Sequence, residues 1–200
     1  FHPEHRAEVF REEHDLQGKF VVLYAGAHGM SNDLGVLLDA AALLRDYPEI
    51  HILLVGDGKE KQKLMQKAAD AGLMNVTFLP SIAKNEIHEV FSAADASLAI
   101  LKPIEVYRTT YPNKVFDGMA AGRPVILAID GVSRQVIEQH QAGIYTPPGD
   151  AESLAKAMVW LAQHPDAART MGSNGRDAVF THYNRRQQAE KLEILIRKML

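Results

Sequence analysis

Phe20-Val21-Val22-Leu23-Tyr24-Ala25 is an uninterrupted apolar run that stops at Gly26. A strand with one wet face would alternate apolar and polar residues. Six residues without that break instead suit a strand covered on both faces, as in a parallel sheet. The signature recurs outward along the chain. His51–Val55 stops at Gly56-Asp57-Gly58, and Val76–Leu79 stops at Pro80. Ala96–Leu101 stops at Lys102-Pro103, Pro124–Ala128 runs to Asp130-Gly131, and Gly143–Tyr145 precedes Pro147-Pro148-Gly149. Helical stripes lie between the runs: Leu34, Leu37, Leu38, Ala41 and Leu44 recur at helical spacing. Leu154, Ala157, Met158, Leu161 and Ala162 do the same, with Asp150 placed to cap that helix and Ser153 in its first turn. Ala189, Leu192, Ile196 and Met199 repeat the pattern in the tail. Strands alternating with helices predict a doubly wound α/β fold with a parallel, six-stranded sheet. The helical segments after Asp150 have no strand to follow them and must pack outside the sheet or on another domain.

Composition narrows the function. The 200 residues suffice for one large domain with a single core. A formal net charge of −3 argues against a general nucleic-acid binder, which would carry a basic stripe. There is no cysteine, which removes disulfides, thiol nucleophiles and thiolate metal sites and fits a reducing compartment. No apolar run approaches the length of a spanning helix and nothing resembles a signal peptide. The expected location is cytoplasmic, at large or at the inner face of the cytoplasmic membrane. A chain that opens at Phe1 is expected to be part of a longer polypeptide. Residues 1–18 are polar and read as an irregular linker, 19–182 as the sheet domain, and 183–200 as a terminal helix able to pack toward a preceding domain.

Ligands of such sheets bind beyond the carboxyl ends of the strands, and four loops at that edge carry unusual residues. Gly26-Ala27-His28-Gly29 opens toward a helix whose orphan N–H groups suit a phosphate. It is neither the three-glycine dinucleotide fingerprint nor a Walker loop, and it reads equally as a tight turn with an exposed histidine. Val55-Gly56-Asp57-Gly58 reads as a strand-ending turn in which Asp57 is available for a polar contact. Ser81-Ile82-Ala83-Lys84 offers an apolar side to a flat base, or Ser81 caps a helix and Lys84 is solvated. The fourth, Tyr107 to Ile126, is the most informative. Pro112 suits a helix start, which would free the N–H groups of Asn113 and Lys114 at the ligand edge. Asp117 follows one turn later among Phe116, Met119 and Ala120, a costly place for a carboxylate without a partner. That partner is a ligand, or a local cation such as Lys114 or Arg123.

The stretch F-D-G-M-A-A-G-R-P-V-I from Phe116 resembles the Phe-Glu-x-Met-Ala-x-Gly-x-Pro-Val motif of glycosyltransferase family 4. Phe1-His2-Pro3, LVGDG, NVTFLPSI, VFSAADASLAIL and YTPPGDAESLAKAM follow in that family's order and spacing, so the likeness covers nearly the whole chain. The Pro-x-Lys-x-Phe form is most similar to bacterial enzymes that build capsule, O-antigen or exopolysaccharide chains. The resemblance implies the carboxyl-terminal, Rossmann-like half of a GT-B fold. In such enzymes this half holds a nucleotide-sugar donor, and an amino-terminal domain, not in this chain, holds the acceptor. It implies retention of anomeric configuration, no cofactor and no metal, no nucleic-acid partner, and membrane contact only through the other half. Carried over by position, Ile82 lies against the base, Asp117 matches the glutamate on the ribose hydroxyls, and Asn113, Lys114 and the Gly26–Gly29 loop approach the diphosphate. Asp57, Lys84, Arg108, Thr109 and Thr110 complete the implied donor-binding set, and no residue of this half is assigned to catalysis.

Three positions depart from the family pattern. Ala27 and, roughly, Asn32 stand where most members carry arginine and lysine, and Thr109 stands for the first of two glutamates eight positions apart. Phosphate charge then falls to His28, Lys114 or Arg108. The implied donor is a UDP-sugar, with UDP-glucose or a UDP-N-acetylhexosamine in front, and the acceptor is lipid-linked or a polysaccharide. The rival readings are a non-hydrolysing UDP-sugar epimerase, a flavodoxin-like or receiver module, and a degenerate domain that binds a nucleotide or a protein. The epimerase needs catalytic acids not found in the four loops, and a receiver needs an acidic cluster that Tyr24-Ala25-Gly26 does not offer.

Overall fold

The computed structural model describes residues 7–83 and 86–199, with the backbone alone at 185–188, 191, 198 and 199. Among these residues the strands are β1 (Phe20–Ala25), β2 (Ile50–Val55), β3 (Val76–Leu79), β4 (Ala96–Ile100), β5 (Val125–Ala128) and β6 (Gly143–Tyr145). They form one sheet in the order β3-β2-β1-β4-β5-β6, and every pairing is parallel. The chain winds outward from β1 in one direction and then from β4 in the other, so the order reverses between β1 and β4. The helices are α1 (Glu8–Glu13), α2 (Leu34–Leu43), α3 (Lys61–Asp70), α4 (Ile87–Ala93), α5 (Asn113–Ala120), α6 (Val132–His140), α7 (Ala151–Gln163), α8 (Pro165–His182) and α9 (Arg185–Met199).

The apolar runs are buried for the reason their sequence suggests. Successive side chains of a strand point to opposite faces. Val22 and Tyr24 therefore join Leu37, Leu38, Leu154 and Met158 in one core layer. Val21 and Leu23 join Leu53, Val90 and Phe91 in the other, beside a third cluster built from Val115, Met119, Leu127 and Ile137. Asp150 caps α7 as the sequence suggests: Ser153 N donates to Oδ1 at 2.9 Å and Ser153 Oγ to Oδ2 at 2.6 Å. Gly122, with φ +68, ends α5. No helix among the described residues is long and apolar enough to cross a membrane.

Two expectations need correction. The segment read as irregular holds α1, which is docked by Arg11. That side chain is 5% exposed, donates to Leu16 O at 3.0 Å and to the Ala93 and Lys19 carbonyls, and pairs with Asp95 at 3.3 Å. Phe10 and the fully buried Leu16 supply the apolar half of that docking, and Arg11 supplies a polar half that an apolar pattern could not reveal. Ser81 caps no helix, because α4 starts only at Ile87, after Glu86. Lys84 and Phe1-His2-Pro3 lie outside the described residues. In α9, Leu192 and Ile196 are exposed.

Candidate nucleotide-binding cleft

A cleft of about 660 Å³ opens at the carboxyl edge of the sheet, where the strand order reverses. This is the place where ligands of open α/β sheets bind. Its floor is Ala25, Gly26 and Ala27 after β1 with Val55, Gly56 and Asp57 after β2. One wall is Ser81 and Ile82 after β3 with Ile87 and Phe91 of α4, and the other is Asn113 and Asp117 of α5. The floor is laced by backbone: Gly26 N donates to Val55 O at 2.9 Å and His28 N to Asp57 O at 2.8 Å. Gly56 has to be glycine here. Its φ is +148, and a Cβ would lie 2.0 Å from Gly26 O. Gly58, with φ +155, is pressed against the His28 backbone in the same way. The turn reading of Gly56–Gly58 and the ligand reading are therefore one structure, a turn whose glycines let two loops form a common floor.

Of the residues singled out from sequence, Gly26, Asp57, Ile82, Asn113 and Asp117 line this cleft. Pro112 precedes α5, so its first N–H groups open at the cleft wall, where they suit an anion. Asp117 is exposed and faces both this cleft and a neighbouring cavity of about 520 Å³ lined by Tyr111, Phe116, Phe180 and Tyr183. Asp57 is exposed, and its Oδ1 accepts from Gly58 N at 2.7 Å.

His28 is not the exposed histidine that the turn reading expects. Its backbone is committed to Asp57 O and Glu60 N, which turns the ring beneath the floor. There it is fully buried between Tyr24 and Phe78, and neither ring nitrogen has a hydrogen-bond partner among the described residues. Burial, followed by the Lys61 charge, lowers its pKa, so the ring is neutral at pH 7. Without a ligand it therefore presents no charge beneath the cleft floor.

Lys114 also sits one layer below the surface. Its Nζ donates to Tyr24 Oη at 3.0 Å and to Asn32 Oδ1 at 2.7 Å, and lies 4.5 Å from the Tyr24 ring centroid. It backs directly onto Gly26, where a Cβ would be 3.7 Å from Nζ. It does not pair with Asp117, so of the two local cations offered as partners for that carboxylate Lys114 is not one. Burial pulls its pKa down to about 8 and pushes the Tyr24 phenol well above its usual value.

The remaining candidates lie elsewhere. Gly29 precedes a 3₁₀ turn at Met30–Asn32, off the cleft lining. Arg108 belongs to another 3₁₀ turn, Glu105–Thr109, and pairs with Asp130 at 3.4 Å and Glu105 at 3.5 Å in a separate cavity of about 210 Å³. The Thr109 and Thr110 hydroxyls donate to Val106 O at 3.0 and 3.4 Å. Ser81, read from sequence as part of the third loop, also lines the cleft, and Ile87, Phe91 and Lys61 are additions that the sequence reading lacked. Ile87 and Phe91 share a helix face at i, i+4, a detectable signal. Lys61 Nζ donates to Gly56 O at 2.7 Å and Leu79 O at 2.9 Å, tying the loops after β2 and β3, and no local pattern marks it.

Comparison with known proteins agrees with this geometry. D-rhamnosyltransferase WbpZ of Pseudomonas aeruginosa is 29% identical over 170 residues, 84% of this chain and 42% of that protein. Putative glycosyltransferase EpsD of Bacillus subtilis is 26% identical over 187 residues, 92% of this chain and 47% of that protein. The chain thus spans about half the length of these curated relatives. The crystal structure of Anabaena HepE in complex with UDP-glucose superposes with a TM-score of 0.81 at 22% identity, covering 96% of this chain and 55% of that one. Sucrose-phosphate synthase of Thermosynechococcus elongatus gives 0.80 at 25% identity, covering 100% and 49%. Fold, cleft and likenesses together define the carboxyl-terminal domain of a GT-B glycosyltransferase. Residues 19–164 match the family described as glycosyl transferases group 1, and the chain belongs to that family.

Proposed function

We propose that this domain binds a UDP-sugar for a retaining glycosyl transfer that needs no metal. One observation carries the reading. The cleft floor lies over two cations, Lys61 and Lys114, whose hydrogen-bond partners are carbonyl, hydroxyl and amide oxygens rather than carboxylates. Both lysines are half-buried; positive charge drawn partly out of water without a protein counter-charge is costly, and a diphosphate over Gly26 and Gly56 supplies one. The amino end of α5 adds directed N–H groups. In this arrangement the base rests against Ile82 and Phe91, the ribose hydroxyls reach Asp117, and the diphosphate lies over Gly26 and Ala27 beside Asn113. Holding the leaving diphosphate in a fixed polar frame is the electrostatic part of catalysis that this half contributes. The acceptor hydroxyl attacks from the donor-sugar face, positioned by the polypeptide beyond this domain.

HepE was crystallised with UDP, with UDP and glucose, and with UDP-glucose, which supports UDP and a glucose-type sugar. We favour UDP-glucose or a UDP-N-acetylhexosamine as donor, and a lipid-linked or polysaccharide acceptor. Titration calorimetry with UDP, GDP and ADP, each with and without chelator, tests the reading. UDP should bind best and should be indifferent to chelator. Loss of UDP binding on chelation would remove the metal-free mechanism, and no binding of any nucleotide would remove the donor site. These 200 residues alone should bind donor without transferring sugar, and robust turnover by them would contradict the division of roles.

A further inference from the structure

We propose that filling this cleft with a nucleoside diphosphate is coupled to uptake of one proton by Lys114, so that the domain binds its nucleotide as an anion–proton pair. The inference rests on the donor-site reading above and goes beyond it. The geometry is the starting point. Lys114 Nζ is held between the Tyr24 hydroxyl on β1 and the Asn32 amide on the 3₁₀ turn, directly behind Gly26. The titratable neighbours on the adjoining elements are Tyr24 itself, the buried His28, and Asp57 and Lys61, which act with Lys114 on His28. Asp57 is exposed and turned to Gly58 N, Lys61 is a like charge, and His28 is neutral. Nothing in this set neutralises the ammonium. Burial accordingly lowers the Lys114 pKa to about 8, with no opposing charge contribution.

A diphosphate above Gly26 changes that balance. An anion close to an amine favours its charged form, so the bound-state pKa rises. Above pH 8 much of the free protein carries a neutral amine. On binding, its nitrogen lone pair takes a proton from buffer acid, an N–H bond forms, and the buffer is left as its conjugate base. The sign follows from linkage: the contribution of Lys114 to affinity is complete below the free-state pKa and is lost as pH rises through it toward the bound-state pKa. With a free value near 8, UDP affinity should fall about tenfold between pH 7 and pH 9.

The test is calorimetry of UDP binding at pH 8 in Tris and in HEPES, whose ionisation enthalpies differ. The slope of observed enthalpy against ionisation enthalpy counts protons. At this pH the UDP diphosphate is already ionised and the uracil N3–H is still attached, so the ligand has no phosphate proton to release on binding. We expect uptake of about half a proton per UDP. Lys114→Arg keeps a permanent charge, so it should bind UDP at pH 9 as well as at pH 7 with no uptake. Lys114→Met should bind weakly at both pH values with no uptake, its melting curve showing whether the fold is intact. His28→Phe should leave the uptake unchanged. UDP binding with no proton uptake by the unmodified protein, or uptake that persists in Lys114→Arg, overturns the inference while leaving the donor site standing. No UDP binding at any pH overturns both.

Discussion

Replacing Gly56 with alanine would set a methyl group 2.0 Å from Gly26 O and 2.9 Å from Gly26 C, at a φ of +148. Ordinary contact begins near 3.4 Å, so the loops after β1 and β2 must part by more than an ångström. The clash is with backbone, which has no rotamer by which to escape. Overpacking of this kind costs about 1–3 kcal/mol and a strained backbone region a similar amount, or about 2–6 kcal/mol together. For a chain of this size that lowers the melting temperature by roughly 4–24 °C. Gly72→Ala is the control: its φ is also positive, +61, but nothing lies within 4 Å of the new Cβ. Thermal melting and UDP calorimetry on both variants separate strain from collision. Gly56→Ala should lose both stability and UDP affinity, because the parted loops are the cleft floor. Gly72→Ala should lose about 1 kcal/mol of stability and no affinity. If Gly56→Ala melts with Gly72→Ala and binds UDP as the unmodified protein does, the two loops do not form a common floor.

Asp117→Ala should cost about 1.5–3 kcal/mol of UDP affinity and erase a preference for UDP over 2′-deoxy-UDP; a preference kept in full would make Asp117 a structural carboxylate. Arg11→Met should destabilise the fold by about 3–5 kcal/mol, since it removes the charge partner of a half-buried Asp95 and the donor to the buried Leu16 and Ala93 carbonyls. Urea unfolding reads this directly, and UDP affinity of the folded fraction should not change. The lowered pKa of His28 means that below about pH 6.5 the unfolded chain takes a proton that the folded ring refuses, so stability falls as pH falls. His51, lowered first by its own burial, adds to the same trend. His28→Phe should lose less melting temperature between pH 7.5 and pH 5.5 than the unmodified protein, and equal losses would show a ring that titrates freely.

Much of the scaffold is legible in the sequence because burial on both faces writes itself as continuous apolar runs. Phe20–Ala25, Val76–Leu79 and Gly143–Tyr145 are strands with those bounds, and Asp150 caps its helix. The site is legible where function depends on backbone: Gly26, Asn113 and Asp117 reach one cleft because strand ends and a helix start place them there. It is illegible where the direction of a side chain depends on contacts remote in sequence. His28 turns inward because its own backbone pairs with Asp57 and Glu60, and Lys114 turns inward toward residues 82 and 90 positions away. Arg108, equally cationic, is drawn off by Asp130. Composition gives all three the same standing as phosphate ligands, and only tertiary structure ranks them.

The most direct test of the account is a crystal structure of the domain with UDP-glucose bound. Diphosphate density is expected over Gly26 and Ala27 at the amino end of α5, with the base against Ile82 and the ribose beside Asp117. A nucleotide seated instead in the cavity between Phe116, Phe180 and Tyr183, or a cleft left empty at saturating UDP-glucose, would contradict it.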